Sequence, residues 1–296
     1  MELVNGLMDI GKIGLFVFMD AMSVSESGAL ARKAERLGYR TMWFPEAWGR
    51  DPFAHAAYLM AKTDTINLAT GIANIWARDP MAMAAAAKTV AEIGEDRFIL
   101  GVGVSHKSLV VDLRGHDYTK PYSYMREYLA KIKASPYAAV APKSEPPIVI
   151  AALRPKMLRL AATEARGTQT YLATAEHTAG ARAAMGPQAW LCVGQTVVFE
   201  TDPAKARAAA REHLKFYLSQ QNYIRHLRSL GFSDADIGGC SDRLVDAVIA
   251  WGSEQRIRSY LDAHFQAGAT HVCIMPVRSD GKLGPNERTI EALAPG

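Results

Sequence analysis

The sequence has few cysteines and no disulfide pattern. Its three cysteines, Cys192, Cys240 and Cys273, lie far apart and include no C-x-x-C pair. An odd number of widely spaced cysteines argues against a disulfide framework and is typical of proteins in a reducing compartment. The amino-terminal segment also has no apolar run of the length found in a signal peptide. We therefore expect a cytoplasmic location.

Long apolar runs and strong net charge are also missing. No segment reaches 18 uninterrupted apolar residues, so we expect no membrane span. The formal net charge is only +4, and lysine and arginine are scattered among aspartate and glutamate. The basic stripe with interleaved aromatic residues that is typical of nucleic-acid-binding proteins is absent, so we expect no nucleic-acid partner. A mildly basic surface is compatible with an anionic small ligand.

Common motifs for metal ions, nucleophilic serines and nucleotides are absent as well. The sequence contains no H-E-x-x-H, no G-x-S-x-G and no G-x-x-x-x-G-K-[ST], which argues against zinc peptidases, α/β-hydrolases and nucleoside triphosphatases. His271 and Cys273 lie on one face of a predicted strand, but two ligands do not make a metal site. We predict that both residues pack in the core and that the protein has no metal centre.

Short apolar runs alternate with helical patterns along the whole chain. The runs predict eight strands, at residues 12–20, 41–45, 65–75, 97–105, 146–153, 168–174, 189–200 and 270–277. Alternation of apolar strands with helices indicates a parallel sheet that is buried on both faces. Eight such units in under 300 residues favour a closed (β/α)8 TIM barrel over an open doubly wound sheet. Since no linker rich in proline, glycine or serine divides the chain, we predict one domain over residues 1–296.

Three predicted helices begin with the same dipeptide. Asp51-Pro52, Asp79-Pro80 and Asp202-Pro203 each precede an alanine-rich helical pattern. The carboxylate can accept hydrogen bonds from the free N–H groups of the first turn, and proline lacks an N–H that would have no partner there. These pairs predict the starts of three helices.

Two segments are longer than the strand–helix repeat requires. One follows the fourth predicted strand, from residue 105 to about residue 122, and the other precedes the eighth strand, from about residue 219 to about residue 252. The second contains a helical pattern and a predicted loop. Long insertions in barrels tend to lie near the active face or at subunit contacts.

Polar residues follow several predicted strands, and in a (β/α)8 barrel the active site lies at the carboxyl ends of the strands. His106 is a candidate proton donor or acceptor because imidazole titrates near neutrality, and a solvated loop histidine is the alternative. Glu46 is a second candidate, with aromatic neighbours that could provide an apolar setting, and a capping or surface carboxylate is its alternative. Gly101 and Gly103 could admit a planar ring or simply allow tight packing.

Four segments, taken together and in this order, resemble the bacterial-luciferase-like superfamily. They are ATGIANIWARDP (69–80), FILGVGVSH (98–106), RGHDYTKPYSYMREYL (114–129) and ALRPKMLRLAA (152–162). Within the superfamily they look most like the oxidoreductases that use the deazaflavin coenzyme F420. The resemblance covers nearly the whole chain and implies a (β/α)8 barrel that transfers a hydride between the deazaflavin C5 and a small organic substrate such as an alcohol, ketone or enone. A reduced-FMN monooxygenase and a barrel that binds a cofactor without turnover are the alternatives.

The resemblance also implies roles for individual residues. A non-prolyl cis peptide is expected at Gly71–Ile72, or at Ile72–Ala73, behind the cofactor ring, with Asn74 at the rim of the ring. Three residues, Gly103, Val104 and Ser105, would line the ring edge. The cofactor phosphate would bind at a helix start, an electrostatically suitable place for an anion, formed by Leu153, Arg154, Pro155 and Lys156. His106 and then Glu46 would be the catalytic residues, and Trp48 and Trp76 would form an apolar substrate pocket.

The sequence departs from the family pattern at two arginines. Arg154 stands where relatives commonly have glycine, and Arg166 stands where they commonly have aspartate. The two arginines would strengthen binding of an anionic cofactor tail, block it, or indicate a different cofactor. The resemblance further implies a homodimer, and a separate reductase or dehydrogenase that recycles the cofactor.

Overall fold

In the computed structural model, which describes residues 8–282 and 284–295, ten parallel strands form one sheet that closes on itself. Strand β10 pairs with both β1 and β8, and this pairing closes the ring. The strands are β1 (Ile13–Phe16), β2 (Thr41–Phe44), β3 (Asn67–Thr70), β4 (Ala73–Asn74), β5 (Phe98–Gly103), β6 (Ile148–Ala151), β7 (Gly167–Tyr171), β8 (Trp190–Val198), β9 (Ile249–Trp251) and β10 (His271–Val277). Eight of them, all except β4 and β9, form a barrel, so the prediction of a (β/α)8 fold is confirmed.

Helices cover the outside of this barrel. They are α1 (Val24–Arg36), α2 (Pro52–Met60), α3 (Pro80–Ile93), α4 (Pro121–Ala134), α5 (Pro155–Glu164), α6 (Ala175–Met185), α7 (Pro203–Leu218), α8 (Gln221–Ser229), α9 (Asp234–Gly238), α10 (Asp242–Val248), α11 (Glu254–Gln266) and α12 (Glu287–Ala292). Asp51, Asp79 and Asp202 cap α2, α3 and α7, each accepting two backbone N–H groups, so the three predicted helix starts are confirmed. Within the described ranges, none of the helices has the length and apolar character needed to cross a membrane.

The interior of the barrel is filled by side chains from alternate strand positions. Trp43, Cys273 and His271 are fully buried there. Trp43 Nε1 donates to His271 Nε2 over 3.1 Å. His271 must therefore carry its proton on Nδ1, which donates to the carbonyl oxygen of Gly11 over 2.8 Å. The prediction that His271 and Cys273 pack in the core is confirmed.

The predicted third strand, 65–75, is not continuous. Strand β3 ends at Thr70, and β4 resumes at Ala73 after a cis peptide at Gly71–Ile72. Strand β4 pairs with β5, where Ala73 lies opposite Val102 and Asn74 lies opposite Gly103. The prediction of one strand was wrong here because its apolar composition carries no sign of the break.

The two predicted insertions are present, and the second is more structured than expected. The first holds a π-helical segment at Ser108–Leu113, and the second holds α8, α9, α10 and strand β9. Strand β9 pairs with the end of β8, Thr196 to Val198. The prediction of one helical piece and a loop was therefore incomplete.

Candidate active site

A cis peptide lies at the carboxyl ends of the barrel strands. The bond between Gly71 and Ile72 is cis, so the first of the two expected positions is confirmed. Gly71 and Ile72 are half-buried, whereas Thr70 and Ala73 on either side are fully buried. This peptide unit is therefore partly accessible at the mouth of the barrel.

The two glycines of strand β5 allow close packing. A Cβ atom on Gly101 would lie 1.8 Å from the carbonyl oxygen of Thr70, so packing of β5 against β3 requires glycine there. A Cβ atom on Gly103 would lie 2.6 Å from both Cγ1 and Cδ1 of Ile72. The side chain of Ile72, the residue that follows the cis peptide bond, thus occupies the space above Gly103.

Glu46 lies in an ionic setting, and the expected apolar setting is wrong. Its side chain is 6% exposed, and its two carboxylate oxygens lie 2.9 and 2.8 Å from Nη1 of Arg78. The backbone N–H of Asn74 also donates to Glu46 over 2.8 Å. The neighbouring aromatic rings turn elsewhere, since Trp43 enters the barrel and Phe44 packs 5.5 Å from His55.

Arg78 holds this region together, and the sequence analysis missed it. Burial opposes the charge on Arg78, yet the carboxylates of Glu46 and Asp51 hold the pKa of the guanidinium above its ordinary value. Asp51 caps α2 and also pairs with Arg78. Arg114 of the first insertion lies 3.9 Å from Glu46. The signal that could have found Arg78 is its place directly before the Asp79-Pro80 helix start.

Asn74, predicted at the rim of the cofactor ring, and the predicted pocket residues Trp48 and Trp76 have different surroundings. Asn74 is 3% exposed, and its side-chain oxygen accepts the N–H of Trp76 over 3.0 Å, so this oxygen is already engaged within the turn. Trp76 Nε1 donates to Val104, and its ring stacks on Tyr124 of α4 at 4.1 Å. Trp48 is 66% exposed at the rim. The two tryptophans therefore contact different elements.

His106 lies where the two insertions meet. Its Nδ1 is 3.0 Å from the side-chain oxygen of Asn222, and the nearby Ser108 hydroxyl donates to Gln220 over 2.7 Å. The rings of Phe216 and Tyr223 lie 5.9 and 5.4 Å from the imidazole. The alternative of a solvated loop histidine is therefore wrong.

The surroundings of His106 determine its protonation. Burial lowers the pKa of His106, and the hydrogen bond to Asn222 partly opposes this effect, so the imidazole is neutral at pH 7. Because the oxygen of Asn222 can only accept, we assign the proton to Nδ1 of His106. The other ring nitrogen, Nε2, then carries a lone pair and can accept a proton.

The start of α5 is a suitable place for an anion. Arg154 occupies the position before the helix, and no side chain caps the first turn, in contrast to the aspartate caps of α2, α3 and α7. Free N–H groups and the helix dipole favour negative charge at such a position. Leu153 is held by its carbonyl oxygen, which lies 2.7 Å from His177 Nε2, and Lys156 Nζ lies 4.2 Å from the centre of the Tyr122 ring.

Tyr118 connects this helix start to the end of β5. Its hydroxyl donates to the carbonyl oxygen of Ser105 over 3.3 Å. Burial raises the pKa of Tyr118, and the positive charge of Arg154 partly opposes this effect. The residues from Gly71 to Asn74, from Gly103 to Ser105 and around Arg154 thus follow one another along the barrel mouth.

A family model of luciferase-like monooxygenases matches residues 11–271 of the chain. The chain belongs to this family. A protein of Mycobacterium tuberculosis named as a coenzyme F420-dependent oxidoreductase is 34% identical over 119 residues, which are 40% of this chain and 34% of that relative. The 5,10-methylenetetrahydromethanopterin reductase of Methanolobus tindarius is 23% identical over 93% of this chain and 96% of its own length. The predicted superfamily, and with it the prediction of an enzyme, are confirmed.

A solved structure shares the luciferase-like fold over almost the whole chain. It is described as an F420-dependent secondary alcohol dehydrogenase in complex with an F420–acetone adduct, with a TM-score of 0.76 and 15% identity over 96% of this chain and 97% of that one. At this identity the likeness establishes the fold, and the barrel of this luciferase-like chain agrees with it.

Arg166 lies at the opposite end of the luciferase-like barrel from the candidate site. It directly precedes β7, its carbonyl oxygen accepts the N–H of Trp190, and its guanidinium lies 5.1 Å from the centre of the Trp190 ring. The amino ends of β7 and β8 are far from the carboxyl ends where α5 begins. The expectation that Arg166 acts on an anionic cofactor tail is therefore wrong, and Arg154 alone is placed to do so.

Proposed function

We propose that this luciferase-like protein is a coenzyme F420-dependent oxidoreductase that acts on a small alcohol, ketone or enone. The observation that carries the proposal is the arrangement of the barrel mouth, where the Ile72 side chain packs over Gly103 of β5 and the uncapped start of α5 presents Arg154. The names of one relative and of two structural neighbours, all of which state dependence on F420, support the choice of cofactor. When bound, F420 supplies or accepts a hydride at its C5 carbon.

The residues at the start of α5 fit the phosphate of this cofactor. The uncapped first turn offers N–H donors, and the Arg154 side chain adds a positive charge beside them. Leu153 and Pro155 lie on either side of Arg154, and Lys156 in the same first turn lies over the Tyr122 ring. The deazaflavin ring would lie against Ile72, with Val104 and Ser105 at its edge.

His106 is the residue that we assign to the proton. Its lone pair on Nε2 can take the proton from the hydroxyl oxygen of an alcohol as the hydride leaves the carbon that bears this oxygen. In the reverse direction the protonated ring returns the proton to the carbonyl oxygen. Glu46 is already held by Arg78 and by the N–H of Asn74, so we assign it to position the loop that carries Asn74. We therefore propose that Glu46 is a positioning residue and not the second proton carrier that the sequence suggested.

Cofactor titrations test the proposal. Purified protein is titrated with F420 and with FMN, followed by fluorescence and calorimetry, and turnover is then assayed with alcohols, ketones and enones. We expect micromolar or tighter binding of F420, weaker binding of FMN, and F420-coupled oxidation or reduction of at least one substrate. Preferential FMN binding with oxygen consumption would favour a luciferase-like monooxygenase instead, and F420 binding without turnover would favour a non-catalytic barrel.

We also propose a homodimer that works with a separate F420 reductase or dehydrogenase in the cytoplasm. Hydride transfer leaves the cofactor in its other redox state, so continued turnover needs a second enzyme that restores it. Light scattering of the purified chain measures the oligomeric state.

A further inference from the structure

A cavity of about 450 Å³ lies at the carboxyl ends of β1 and β10, beneath helix α7. Its floor includes the apolar residues Phe16, Val17, Met275 and Pro276. Helix α7 adds Ala209, Glu212 and His213, and the charged side chains of Arg278 and Lys282 also line the cavity. Its volume is in the range of small-molecule pockets, and carboxyl strand ends are where (β/α)8 enzymes bind their ligands. Of the two polar side chains that α7 presents here, Glu212 is exposed and His213 is half-buried.

His213 belongs to a buried hydrogen-bond network. Its Nε2 lies 2.6 Å from the Tyr171 hydroxyl and 3.3 Å from Oγ1 of Thr196, and the two hydroxyls are 2.9 Å apart. Met275 connects this network to the cavity floor, because its sulfur lies 3.9 Å from both hydroxyls. The network is therefore directly behind the cavity wall.

The network determines which atom of His213 can reach a ligand. Burial raises the pKa of Tyr171 well above its usual range and lowers the pKa of His213 to about 4, so both groups are neutral at pH 7. The 2.6 Å contact between the Tyr171 hydroxyl and His213 Nε2 is best satisfied when the Thr196 hydroxyl donates to Tyr171 and Tyr171 donates to Nε2. His213 then carries its proton on Nδ1, which has no hydrogen-bond acceptor within residues 8–282 and 284–295.

The cavity is next to the cis peptide but not next to His106. A Cβ atom on Gly71 would lie 2.6 Å from the Phe16 ring, so one aromatic ring separates the peptide from the cavity. Towards the other side, Tyr171 contacts Tyr223 at 5.9 Å, and Tyr223 contacts His106 at 5.4 Å. Two tyrosines thus separate the imidazoles, and one oxygen atom of a ligand cannot bond both.

We propose that this cavity holds the apolar body of the organic substrate, and that His213 Nδ1–H donates a hydrogen bond to an oxygen away from the reacting carbon. The substrate class is a small alcohol or ketone with a second oxygen that accepts a hydrogen bond. The identity of the reaction rests on the proposed function, whereas the cavity and its donor do not.

Kinetics with matched ketones test the proposal in the F420-loaded enzyme. Cyclohexanone and 1,4-cyclohexanedione differ by one oxygen, and one net hydrogen bond changes binding about fivefold. We expect a KM about fivefold lower for the diketone, and loss of this difference in His213→Phe with little change in kcat. Ala209→Leu, which fills the cavity, should raise KM for both ketones by at least about tenfold because overpacking excludes the ligand. Lys205→Ala, at an exposed position on the same helix, is the matched control.

Two further readouts separate failure of this proposal from failure of the proposed function. The dissociation constant of F420 should be unchanged in both cavity variants, and the imidazole NMR resonances of His213 should shift when the diketone is added to cofactor-free protein. Equal KM values for wild type and Ala209→Leu, or an unmoved His213 resonance, would overturn the proposal. A loss of F420 affinity in Ala209→Leu that matches its loss of ketone affinity would also overturn it, since the cavity would then hold the cofactor.

Discussion

Because His106 is neutral, the first proton transfer open to it is to accept a proton. Its Nδ1 is committed to Asn222, and its pKa lies below the usual value because the ring is buried. A neutral ring with a free Nε2 is a base, so under the proposed function the resting ring is ready to accept the proton of an alcohol. Reduction of a ketone requires the same ring in its protonated form.

The pH dependence of alcohol oxidation tests this assignment. We expect kcat/KM to be constant at neutral pH and to fall as the pH drops through a value below 6.5, where His106 becomes protonated. Asn222→Leu removes the hydrogen bond that raises the pKa of His106, so the fall of kcat/KM on the acid side should move to lower pH. His106→Ala should lower kcat about 100-fold and abolish the fall of kcat/KM on the acid side.

An exposed histidine of the first insertion provides the control for that experiment. His116→Ala should leave both turnover and the pH profile unchanged, since only its backbone N–H is bonded, to the carbonyl oxygen of Val110. Near-wild-type turnover in His106→Ala would remove His106 from the reaction.

At the scale of secondary-structure elements, the aspartate caps make a contribution that can be measured separately. Asp202 accepts the N–H groups of Ala204 and Lys205 at the start of α7. Loss of such a cap typically costs about 1 kcal/mol. We therefore expect Asp202→Ala to lower the free energy of unfolding by that amount in urea titrations. Asp202→Asn should keep most of the stability, because the amide oxygen still accepts; an equal loss in both variants would contradict a capping role.

The elements that sequence could predict are those whose signal is local. The barrel strands are apolar runs buried on both sides, and the helix starts are marked by Asp-Pro pairs, so both could be read along the chain. Strand β9 could not, because Ile249–Trp251 is three residues long and follows a helix without a turn signal. The break between β3 and β4 was not predicted, and the cis peptide that lies at it was predicted only through the family resemblance.

The candidate site was predictable in its position but only partly in its contacts. The strand ends placed Glu46 and His106 at the mouth of the barrel, and the structure confirms this location. Their partners Arg78 and Asn222 lie 32 and 116 residues away along the chain, and no local pattern reports such pairs. His213 was missed because it sits in an ordinary helical pattern, where only its aromatic neighbours Phe216 and Tyr217 hint at a wall facing the barrel.

Across the whole molecule, most histidines are buried in the neutral form. Of the eight histidines, burial lowers the pKa of seven, five of them to about 4: His55, His213, His226, His264 and His271. The pKa values of His106 and His177 are lowered as well. In the unfolded chain these groups titrate near 6.5. Between pH 4 and pH 6.5, the histidines of the unfolded chain therefore bind protons that those of the folded protein do not.

The fold should therefore lose stability in mild acid. The histidine contribution is fully present above pH 6.5 and is lost as the pH falls towards 4, by about 1 kcal/mol per pH unit for each such histidine. We expect urea unfolding midpoints to be nearly constant from pH 7 to 8 and to fall steeply between pH 6.5 and 4.5. A flat profile over the latter range would show that these rings are not held neutral in the folded protein.

The contact between the two insertions ties the orientation of the His106 imidazole to their relative position. His106 and Ser108 of the first insertion bond Asn222 and Gln220 of the second, and all four groups are uncharged. Any movement that parts the insertions therefore also releases the imidazole from the bond that orients it. Because hydrogen bonds between uncharged groups are little affected by salt, we expect the orientation of this ring to depend hardly at all on ionic strength.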